Sequence, residues 1–371
     1  MILLNDFARQ WRDTSEDACA AFTAVGESGW YILGNEVRQF ERELAALWQT
    51  DHAVGVASGL DAIEISLRVL GCTPGDRVLT TPISAFATTL AIVKAGGVPV
   101  FADVDASGSI DLDGAREAMH ADPRIKFFLP VHLYGHALDL EKISAMQREF
   151  GVAVIEDCAQ AVLARSREMP LGSIGRMAAT SFYPTKNLGA MGDGGAILTG
   201  NEEYAKAARM FRDYGQSAKY RHSAIGYNSR LDELQAALLR RAGLPRLERW
   251  TERRRKIAQT YLDRIANPAL RIPPAPAGSH SCWHLFPLLV PPEHKPAFLA
   301  HLKGRGIGAG EHYPVAIPDQ PALAGAAFDI AACGIERARI FCCSEVSLPI
   351  HPYLNDSEIG VVVDAVNSWA P

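Results

Sequence analysis

The residues best suited to chemistry begin at the end of an apolar run. Residues 154–157 read Val-Ile-Glu-Asp, and Gln160 follows three positions after Asp157. Ligands of open α/β sheets bind beyond the carboxyl ends of the strands, so Asp157 stands where a bound molecule would lie. The same aspartate could instead cap a following helix, and this stretch alone leaves both uses open.

Lys186 is the second candidate, because it stands alone in an otherwise uncharged segment. Residues 181–189 read Ser-Phe-Tyr-Pro-Thr-Lys-Asn-Leu-Gly. A desolvated lysine has a lowered pKa, and its neutral amine can form a Schiff base with a carbonyl compound. An exposed loop lysine would have the same sequence, so this segment needs support from elsewhere in the chain.

A third segment supplies a possible phosphate site and completes a recognisable set. Residues 58–62 read Ser-Gly-Leu-Asp-Ala between a predicted strand and a predicted helix, whose first amides could hold a phosphate. Pyridoxal 5′-phosphate (PLP) needs a lysine for its imine, an aspartate that keeps its pyridine nitrogen protonated, and a phosphate cradle. An aromatic side chain over the ring is also expected, and Phe86 is the candidate. Together these segments predict PLP chemistry, which none of them specifies alone.

Other chemistries lack their motifs. No G-x-G-x-x-G follows a strand, and G-x-x-x-x-G-K-[ST], H-E-x-x-H and G-x-S-x-G are all missing from the sequence. The 11 histidines form no closely spaced ligand cluster, so we expect no metal site.

The elements that position these residues alternate between short β-rich runs and helical patterns. Strands are predicted over 53–57, 77–81, 98–102, 126–131, 152–155, 178–182 and 195–199, and helices over 61–70, 87–95 and 140–150. Such alternation is typical of an α/β domain with a mostly parallel, buried sheet.

The character of the chain changes near residue 245. A charged helical stretch over 230–265 precedes a proline-rich connector at 273–276, and a strand at 285–290 with helices at 296–303 and 356–368 follows. The basic run at 253–256 could suggest a nucleic-acid patch, but a solvated helix face is favoured. We therefore predict a large domain over 1–245 and a smaller α+β domain over 246–371.

Composition fits an ordinary globular enzyme. The 371 residues include 37 Lys and Arg against 42 Asp and Glu, a formal net charge of −5, which argues against nucleic acid as a partner. The 7 cysteines are scattered, without a C-x-x-C pair. We see no signal peptide and no apolar run long enough to cross a membrane, so we expect a cytoplasmic protein without a membrane partner.

Nearly from end to end, the sequence resembles the DegT/DnrJ/EryC1/StrS family of sugar aminotransferases. The most specific match joins Thr-Lys-Asn-Leu-Gly at 185–189 to Gly-Asp-Gly-Gly at 192–195. Residues 28–34, 130–135, 154–160, 226–232 and 312–314 also resemble family segments. The resemblance implies the α/β aspartate-aminotransferase fold, with a mostly parallel-sheet large domain and a smaller C-terminal domain, and a homodimer with shared active sites.

The resemblance also implies roles for particular residues. Lys186 is the Schiff-base lysine and Asp157 is the partner of the pyridine nitrogen. The other implied cofactor contacts are Gln160 with the ring hydroxyl, Phe86 with the ring face, Ser181 and the amides of Gly59 and Leu60 with the phosphate, and Asn228 with the phosphate of the neighbouring subunit. The family pattern commonly has threonine where this chain has Leu60, which puts a side-chain phosphate contact there in doubt.

Five further residues are candidates for the substrate side. His312 and Tyr313 are expected in the sugar pocket by resemblance. Tyr183 could touch substrate or pack, His222 could lie in a substrate loop or simply face solvent, and Tyr31 could line a cleft or belong to the core. Pro318-Asp319 replaces the Pro-His that often follows the His-Tyr-Pro segment, which alters the expected pocket.

The resemblance implies transfer of an amino group from L-glutamate to a nucleotide-linked ketosugar, in aminosugar biosynthesis for a glycan such as lipopolysaccharide. The 28–34 segment and the 59–62 turn favour C-3 of a dTDP-3-keto-6-deoxyhexose. Amination at C-4 is the nearest alternative, and a non-catalytic PLP-fold binding or regulatory protein is a second one. A related dehydratase branch has histidine in place of the lysine, so Lys186 argues against that reaction.

Overall fold

An eight-stranded sheet with helices on both faces organises the computed structural model, which describes all 371 residues. The strand order is β1-β9-β8-β5-β4-β2-β3-β14, and every pairing is parallel except those of β9 with β1 and β8. The predicted α/β class with a mostly parallel sheet is confirmed.

The elements predicted from the sequence lie close to their predicted bounds, whereas the helices over residues 7–28, 35–48, 112–121, 202–212 and 336–344 were not predicted. The strands are β1 (His52–Val56), β2 (Arg77–Thr80), β3 (Val98–Phe101), β4 (Ile125–Phe128), β5 (Ala153–Asp157), β6 (Arg165–Ser166), β7 (Met169–Pro170), β8 (Met177–Ser181), β9 (Gly195–Thr199), β10 (Gln216–Ala218), β11 (Arg221–His222), β12 (Ser279–His280), β13 (Phe286–Leu289), β14 (Asp329–Ile330) and β15 (Glu345–Leu348). The helices are α1 (Phe7–Ser28), α2 (Asn35–Trp48), α3 (Gly59–Val69), α4 (Phe86–Lys94), α5 (Leu112–Ala121), α6 (Leu140–Phe150), α7 (Glu202–Arg212), α8 (Glu233–Leu238), α9 (Leu244–Arg264), α10 (Lys295–Gly304), α11 (Glu336–Ser344) and α12 (Asp356–Asn367).

The helices that flank the sheet begin at side chains suited to starting them. Ser58, Asp111 and Asp139 each accept a hydrogen bond from an amide in the first turn of α3, α5 and α6 respectively. Helix α6 ends at Gly151, which adopts the left-handed conformation that glycine tolerates best. Two apolar clusters of 39 and 34 buried residues fill the space between helices and sheet, which explains why the strands are continuously apolar.

The C-terminal part packs around the antiparallel pair β13–β15. Helices α9, α10 and α12 contribute to its separate apolar cluster of 20 buried residues. Two segments cross the predicted boundary at 245, because Ile2 pairs with Ile307 while β14 joins the large sheet beside β3. Helix α9 also begins at Leu244 and continues through the boundary. The division at 245 therefore stays a prediction.

None of the helices combines the length and the apolar composition needed to cross a membrane.

Candidate active site

The carboxyl ends of the central strands meet at one cavity. Loops that follow β1, β2, β5 and β8 surround it, and segments from the C-terminal part close its other side. Its volume is about 580 Å³. The cavity is lined by nine of the site residues predicted from the sequence: Gly59, Leu60, Asp157, Gln160, Ser181, Tyr183, Lys186, His312 and Tyr313.

Lys186 reaches this cavity from the loop after β8. Its amide donates to the carbonyl of Tyr183 at 2.8 Å, which folds the loop into a tight turn. A Cβ on Gly189 would lie 2.4 Å from the carbonyl oxygen of Pro184, so the turn requires glycine there. Burial lowers the pKa of Lys186 to about 8, and the charge of Asp157 opposes that shift. A substantial fraction of the amine is therefore neutral near physiological pH.

Asp157 ends β5 with its carboxylate buried in the wall of the same cavity. Thr88 Oγ1 donates to Oδ2 at 2.9 Å, and the amide of Ala159 donates to Oδ1 at 3.1 Å. Burial raises the pKa of this carboxyl, while both hydrogen bonds and the charge of Lys186 oppose the rise. The carboxylate keeps lone pairs free for a cationic or N–H group in the cavity.

The neighbouring Glu156 faces the opposite side of the strand, as strand alternation requires. It accepts hydrogen bonds from the amides of Gly172 and Gly175, both at 2.8 Å, and lies 3.2 Å from Nε2 of His132. Burial would raise the pKa of Glu156, but the contact with His132 and these amides together hold it below its usual value. The carboxylate pair seen in the sequence therefore separates into a structural residue, Glu156, and a cavity residue, Asp157.

The turn before α3 forms a cradle at the helix N-terminus. Gly59 and Leu60 are the first helical residues, so their amides have no partner inside the helix. A Cβ on Gly59 would come within 2.7 Å of Cβ of Ser181, and one on Gly195 within 2.4 Å of the backbone of Ser58. These glycines let the helix start approach β8 and β9 closely. Free amides, the helix dipole and the Ser181 hydroxyl together suit an anion.

Gln160 connects the two sides of the cavity. Its Oε1 accepts from the amide of Tyr134 at 2.7 Å, and its Nε2 donates to the hydroxyl of Tyr313 at 3.2 Å. The amide orientation is fixed because the backbone N–H of Tyr134 can only donate. A side chain from the loop after β5 is thereby joined to the segment that follows α10.

Four of the residues predicted from the sequence do not line the cavity. Phe86 begins α4 and packs beside the apolar cluster on that face of the sheet, while Ala85, Ala87 and Thr88 line the wall. Successive helical residues turn by about 100°, so the side chain facing the site could not be chosen without knowing where α4 starts. Phe86 is not among the residues that line the cavity, and its contact with a bound ring stays a prediction.

The other three lie on the surface of the single chain. Tyr31 is 57% exposed, Asn228 is exposed, and His222 is exposed with Nδ1 2.8 Å from the carbonyl of Tyr214. Their roles toward substrate or a neighbouring subunit stay predictions.

Several residues of the site were missed from the sequence. Thr88 and His284 line the cavity, and Asn187, Glu345 and Ser347 contact residues that line it. Asn187 follows Lys186 directly, which was a usable signal. Nothing local marks Glu345 and Ser347, because they reach the site through tertiary packing: Ser347 pairs with Gly310, and Glu345 accepts from the amide of His312.

Comparison with known proteins agrees with this geometry. The profile of the DegT/DnrJ/EryC1/StrS aminotransferase family matches residues 12–367. A dTDP-3-amino-3,4,6-trideoxy-alpha-D-glucose transaminase of Streptomyces venezuelae is 40% identical over 366 residues, covering 98% of this chain and 95% of that protein. A dTDP-3-amino-3,6-dideoxy-alpha-D-galactopyranose transaminase of Aneurinibacillus thermoaerophilus is 39% identical over 349 residues, covering 94% of each.

Among solved structures, the crystal structure of S. venezuelae DesV in complex with a ketimine intermediate superposes with a TM-score of 0.93. It is 40% identical in sequence and covers 98% of this chain and 97% of its own.

Proposed function

The chain belongs to the DegT/DnrJ/EryC1/StrS aminotransferase family, and we propose that it transfers the amino group of L-glutamate to C-3 of a dTDP-linked 3-keto-6-deoxyhexose. It is an aminotransferase whose cofactor is PLP, as in the rest of the family. Its acceptor is a nucleotide-linked ketosugar.

One observation carries the finer assignment. Two relatives with about the same identity to this chain, 40% and 39%, differ in the sugar that they make, yet both names place the new amino group on C-3 of a dTDP-linked sugar. The position of amination and the nucleotide are what they share. Both sugars also lack the C-6 hydroxyl group, so we propose all three features for this enzyme and leave the rest of the hexose unspecified.

The residues of the cavity fit PLP. Gly59 lets the start of α3 lie against Ser181, so that the free amides and the serine hydroxyl are close together, and a buried carboxylate with free lone pairs lines the same cavity. Ser181 and the amides of Gly59 and Leu60 would hold the phosphate. Asp157 would hold the ring nitrogen, Gln160 the ring hydroxyl and Lys186 the aldehyde carbon.

When bound, PLP supplies an electron sink for the pair of electrons left as the α-carbon of the amino donor loses its proton. Asp157 keeps the ring nitrogen protonated, because its ionised form gains more from an N–H donor than from the neutral hydroxyl of Thr88 alone. Lys186 Nζ moves the proton, first as a base and then as an acid. A pKa of about 8 suits both roles, since neither protonation state of the amine is rare near neutral pH.

The two substrates occupy the cavity in turn. L-glutamate leaves as a 2-oxo acid, and the ketosugar then takes up the nitrogen. Tyr183, His312 and Tyr313 lie in the cavity wall, where a sugar next to Lys186 would contact them.

A homodimer with shared sites is part of the proposal. Lys186 is the one lysine or arginine lining the cavity, whereas the cofactor phosphate and the substrate diphosphate carry several negative charges. Three large apolar side chains are exposed: Trp30 (62%), Tyr31 (57%) and Met191 (46%). They lie beside the start of α8, because Ile32 pairs with Asp232 and the amide of Met191 donates to Gln235. Such an exposed apolar group suits a subunit interface, from which Asn228 would reach the partner's site.

A panel of sugar nucleotides tests the function. Purified holoenzyme with L-glutamate is offered 3-keto and 4-keto hexoses linked to dTDP or UDP, and the products are separated and weighed by mass spectrometry. The proposal expects the highest kcat/KM with a dTDP-linked 3-keto sugar and no product with Lys186→Ala. A preference for 4-keto sugars, or turnover in the Lys186→Ala variant, would contradict it.

A further inference from the structure

Two histidines line the cavity and present one ring nitrogen each to it. Nδ1 of His284 lies 3.1 Å from Oδ1 of Asn187, and Nδ1 of His312 lies 2.9 Å from Oγ of Ser347. The Nε2 atoms of both rings lack a hydrogen bond within the chain. Both atoms are accessible to solvent, since they are not among the fully buried polar atoms without a partner. Both Nε2 atoms are therefore open to the cavity that these rings line.

The proton of His284 is located by Asn187. Nδ2 of Asn187 is 3.1 Å from the carbonyl oxygen of Cys282, and a carbonyl can only accept a hydrogen bond. The amide nitrogen of Asn187 must therefore face Cys282, and its oxygen must face His284. Because that oxygen is an acceptor, Nδ1 of His284 carries the proton and Nε2 has a free lone pair.

The proton of His312 is located by a longer chain of contacts. Oγ of Ser347 donates to Oε1 of Glu345 at 2.5 Å, and both residues are fully buried in β15. An ionised carboxylate only accepts, so the single hydroxyl proton of Ser347 points toward Glu345. The oxygen of Ser347 then accepts from Nδ1 of His312, and Nε2 again has a free lone pair.

The backbone of His312 is fixed on both sides, so the ring has a defined position. Its amide donates to Oε2 of Glu345 at 2.6 Å, and its carbonyl accepts from the hydroxyl of the fully buried Tyr134 at 2.5 Å. Burial, followed by the charge of Lys186, lowers the pKa of His312 to about 4. A ring that is uncharged at neutral pH keeps a lone pair on one nitrogen and can accept a hydrogen bond there.

We propose that Glu345, Ser347 and Asn187 are positioning residues that fix both imidazoles with Nε2 unprotonated, so that this wall accepts hydrogen bonds from substrate hydroxyl groups next to the keto carbon. The inference rests on the proposed function, because it takes the occupant of the cavity to be a ketosugar. A substrate hydroxyl group can donate to these Nε2 atoms, whereas a substituent without a proton leaves their lone pairs without a hydrogen bond.

Glu345→Gln should move the ring proton of His312 from Nδ1 to Nε2 without changing the shape of the cavity wall. The amide of His312 needs an acceptor, so the oxygen of the new glutamine takes the place of Oε2. Its NH₂ group then faces Ser347 and donates to Oγ, which turns the hydroxyl proton toward Nδ1 of His312. The proton of the ring is thereby displaced to Nε2, which becomes a donor opposed to the substrate hydroxyl.

The first measurement is the ring tautomer in the holoenzyme. Protein labelled with ¹⁵N at histidine is examined by long-range ¹H–¹⁵N correlation at about pH 8, where Glu345, whose pKa burial raises to about 7, is ionised. Signals are assigned with His312→Gln and His284→Gln. The proposal expects Nδ1–H for both rings in the wild type, and Nε2–H for His312 alone in Glu345→Gln. A wild-type spectrum with either ring protonated at Nε2 would overturn it.

The matched control is Glu311→Gln, the same chemical change one residue before His312. Glu311 pairs with Lys295 at 2.6 Å and contacts neither Ser347 nor the cavity. It should leave the tautomer of His312 as in the wild type. Ser347→Ala removes the hydroxyl and should populate both tautomers of His312, which supplies a second variant if Glu345→Gln folds poorly.

The second measurement separates sugar recognition from general damage. In Glu345→Gln, KM for the ketosugar nucleotide should rise about 10-fold or more, and the rate constant with L-glutamate alone should change by a much smaller factor. Glu311→Gln should change neither. A reversed tautomer with an unchanged KM would overturn the hydroxyl assignment. Wild-type protein that aminates no ketosugar nucleotide would contradict the proposed function instead, and the spectrum would still decide where the ring protons lie.

Discussion

The hydroxyl of Thr88 donates a 2.9 Å hydrogen bond to Oδ2 of Asp157, inside the wall of the cavity. Oγ of Ser84 lies 2.8 Å from the same hydroxyl and completes a short chain of donors directed at the carboxylate. Burial raises the pKa of Asp157, so these donors oppose its protonation. Thr88 is thus a positioning residue for the group that we assign to the cofactor nitrogen.

Thr88→Val should slow the reaction with L-glutamate by about 10-fold or more, because the buried, ionised carboxylate of Asp157 loses a hydrogen bond. The rate constant is measured as the loss of the visible absorbance of the holoenzyme after mixing with L-glutamate.

Thr89→Val is the matched control for that substitution. Thr89 is next in the chain and buried, and its Oγ1 has no hydrogen-bond partner. Its replacement should leave the rate constant unchanged and should not lower stability. Equal losses of rate in the two variants would contradict the role given to Thr88.

Covalent attachment of PLP to the apoprotein should accelerate as pH rises, with a midpoint at about 8. Only the neutral amine of Lys186 attacks, and burial lowers the pKa of this lysine to about 8. Attachment is measured by borohydride reduction and peptide mass. Asp157→Asn should move the midpoint to lower pH, since the charge of Asp157 raises the pKa of Lys186. A midpoint near the ordinary lysine value of 10.5 would contradict the desolvated site.

Gly59→Ala should weaken PLP binding by about 10-fold or more, because the new methyl would lie 2.7 Å from Cβ of Ser181 and displace the helix start that holds the phosphate. The dissociation constant is measured by titrating apoprotein with PLP and following absorbance. Gly26→Ala introduces the same methyl in α1 with nothing within 4 Å, and it should leave PLP binding unchanged. A wild-type dissociation constant in Gly59→Ala would contradict the assignment of the start of α3 as the phosphate site.

Much of this site could be predicted from the sequence because it depends on local order. Asp157 ends one strand of the large sheet, and Lys186 and the turn at 58–60 follow two others that run in the same direction, so their convergence was implied by the strands themselves. Which of Phe86, Ala87 and Thr88 faces the cavity could not be predicted from the sequence, because the face of a helix depends on its first residue. Glu345 and Ser347 were invisible because they belong to a strand whose contact with His312 is set only by tertiary packing.

KM for the ketosugar should rise as pH falls through about 7. Burial raises the pKa of Glu345 to about 7. Below that pH the protonated carboxyl donates to Oγ of Ser347, and the ring proton of His312 moves from Nδ1 to Nε2. Lys295 and Glu311 are the charged groups acting on Glu345 from neighbouring segments, and His312 itself titrates only at about 4. The other titratable groups facing Glu345 have raised pKa values and stay neutral in this range: Tyr134, Tyr313 and Cys342.

The same pH series with Glu345→Gln isolates this residue from the titration of Lys186. KM in that variant should be high and should show no inflection near pH 7, since its side chain does not titrate. A wild-type KM that is equally flat would contradict the proton chain from Glu345 to His312.

The most direct test of the central claim follows the nitrogen itself. Holoenzyme is incubated with L-[¹⁵N]glutamate and a dTDP-linked 3-keto-6-deoxyhexose, and the sugar product is examined by ¹H–¹⁵N correlation. The account predicts ¹⁵N bonded to C-3 of a dTDP-linked aminosugar, with an equal amount of 2-oxoglutarate formed and neither product from Lys186→Ala. Nitrogen at C-4, or 2-oxoglutarate formed without an aminosugar, would contradict it.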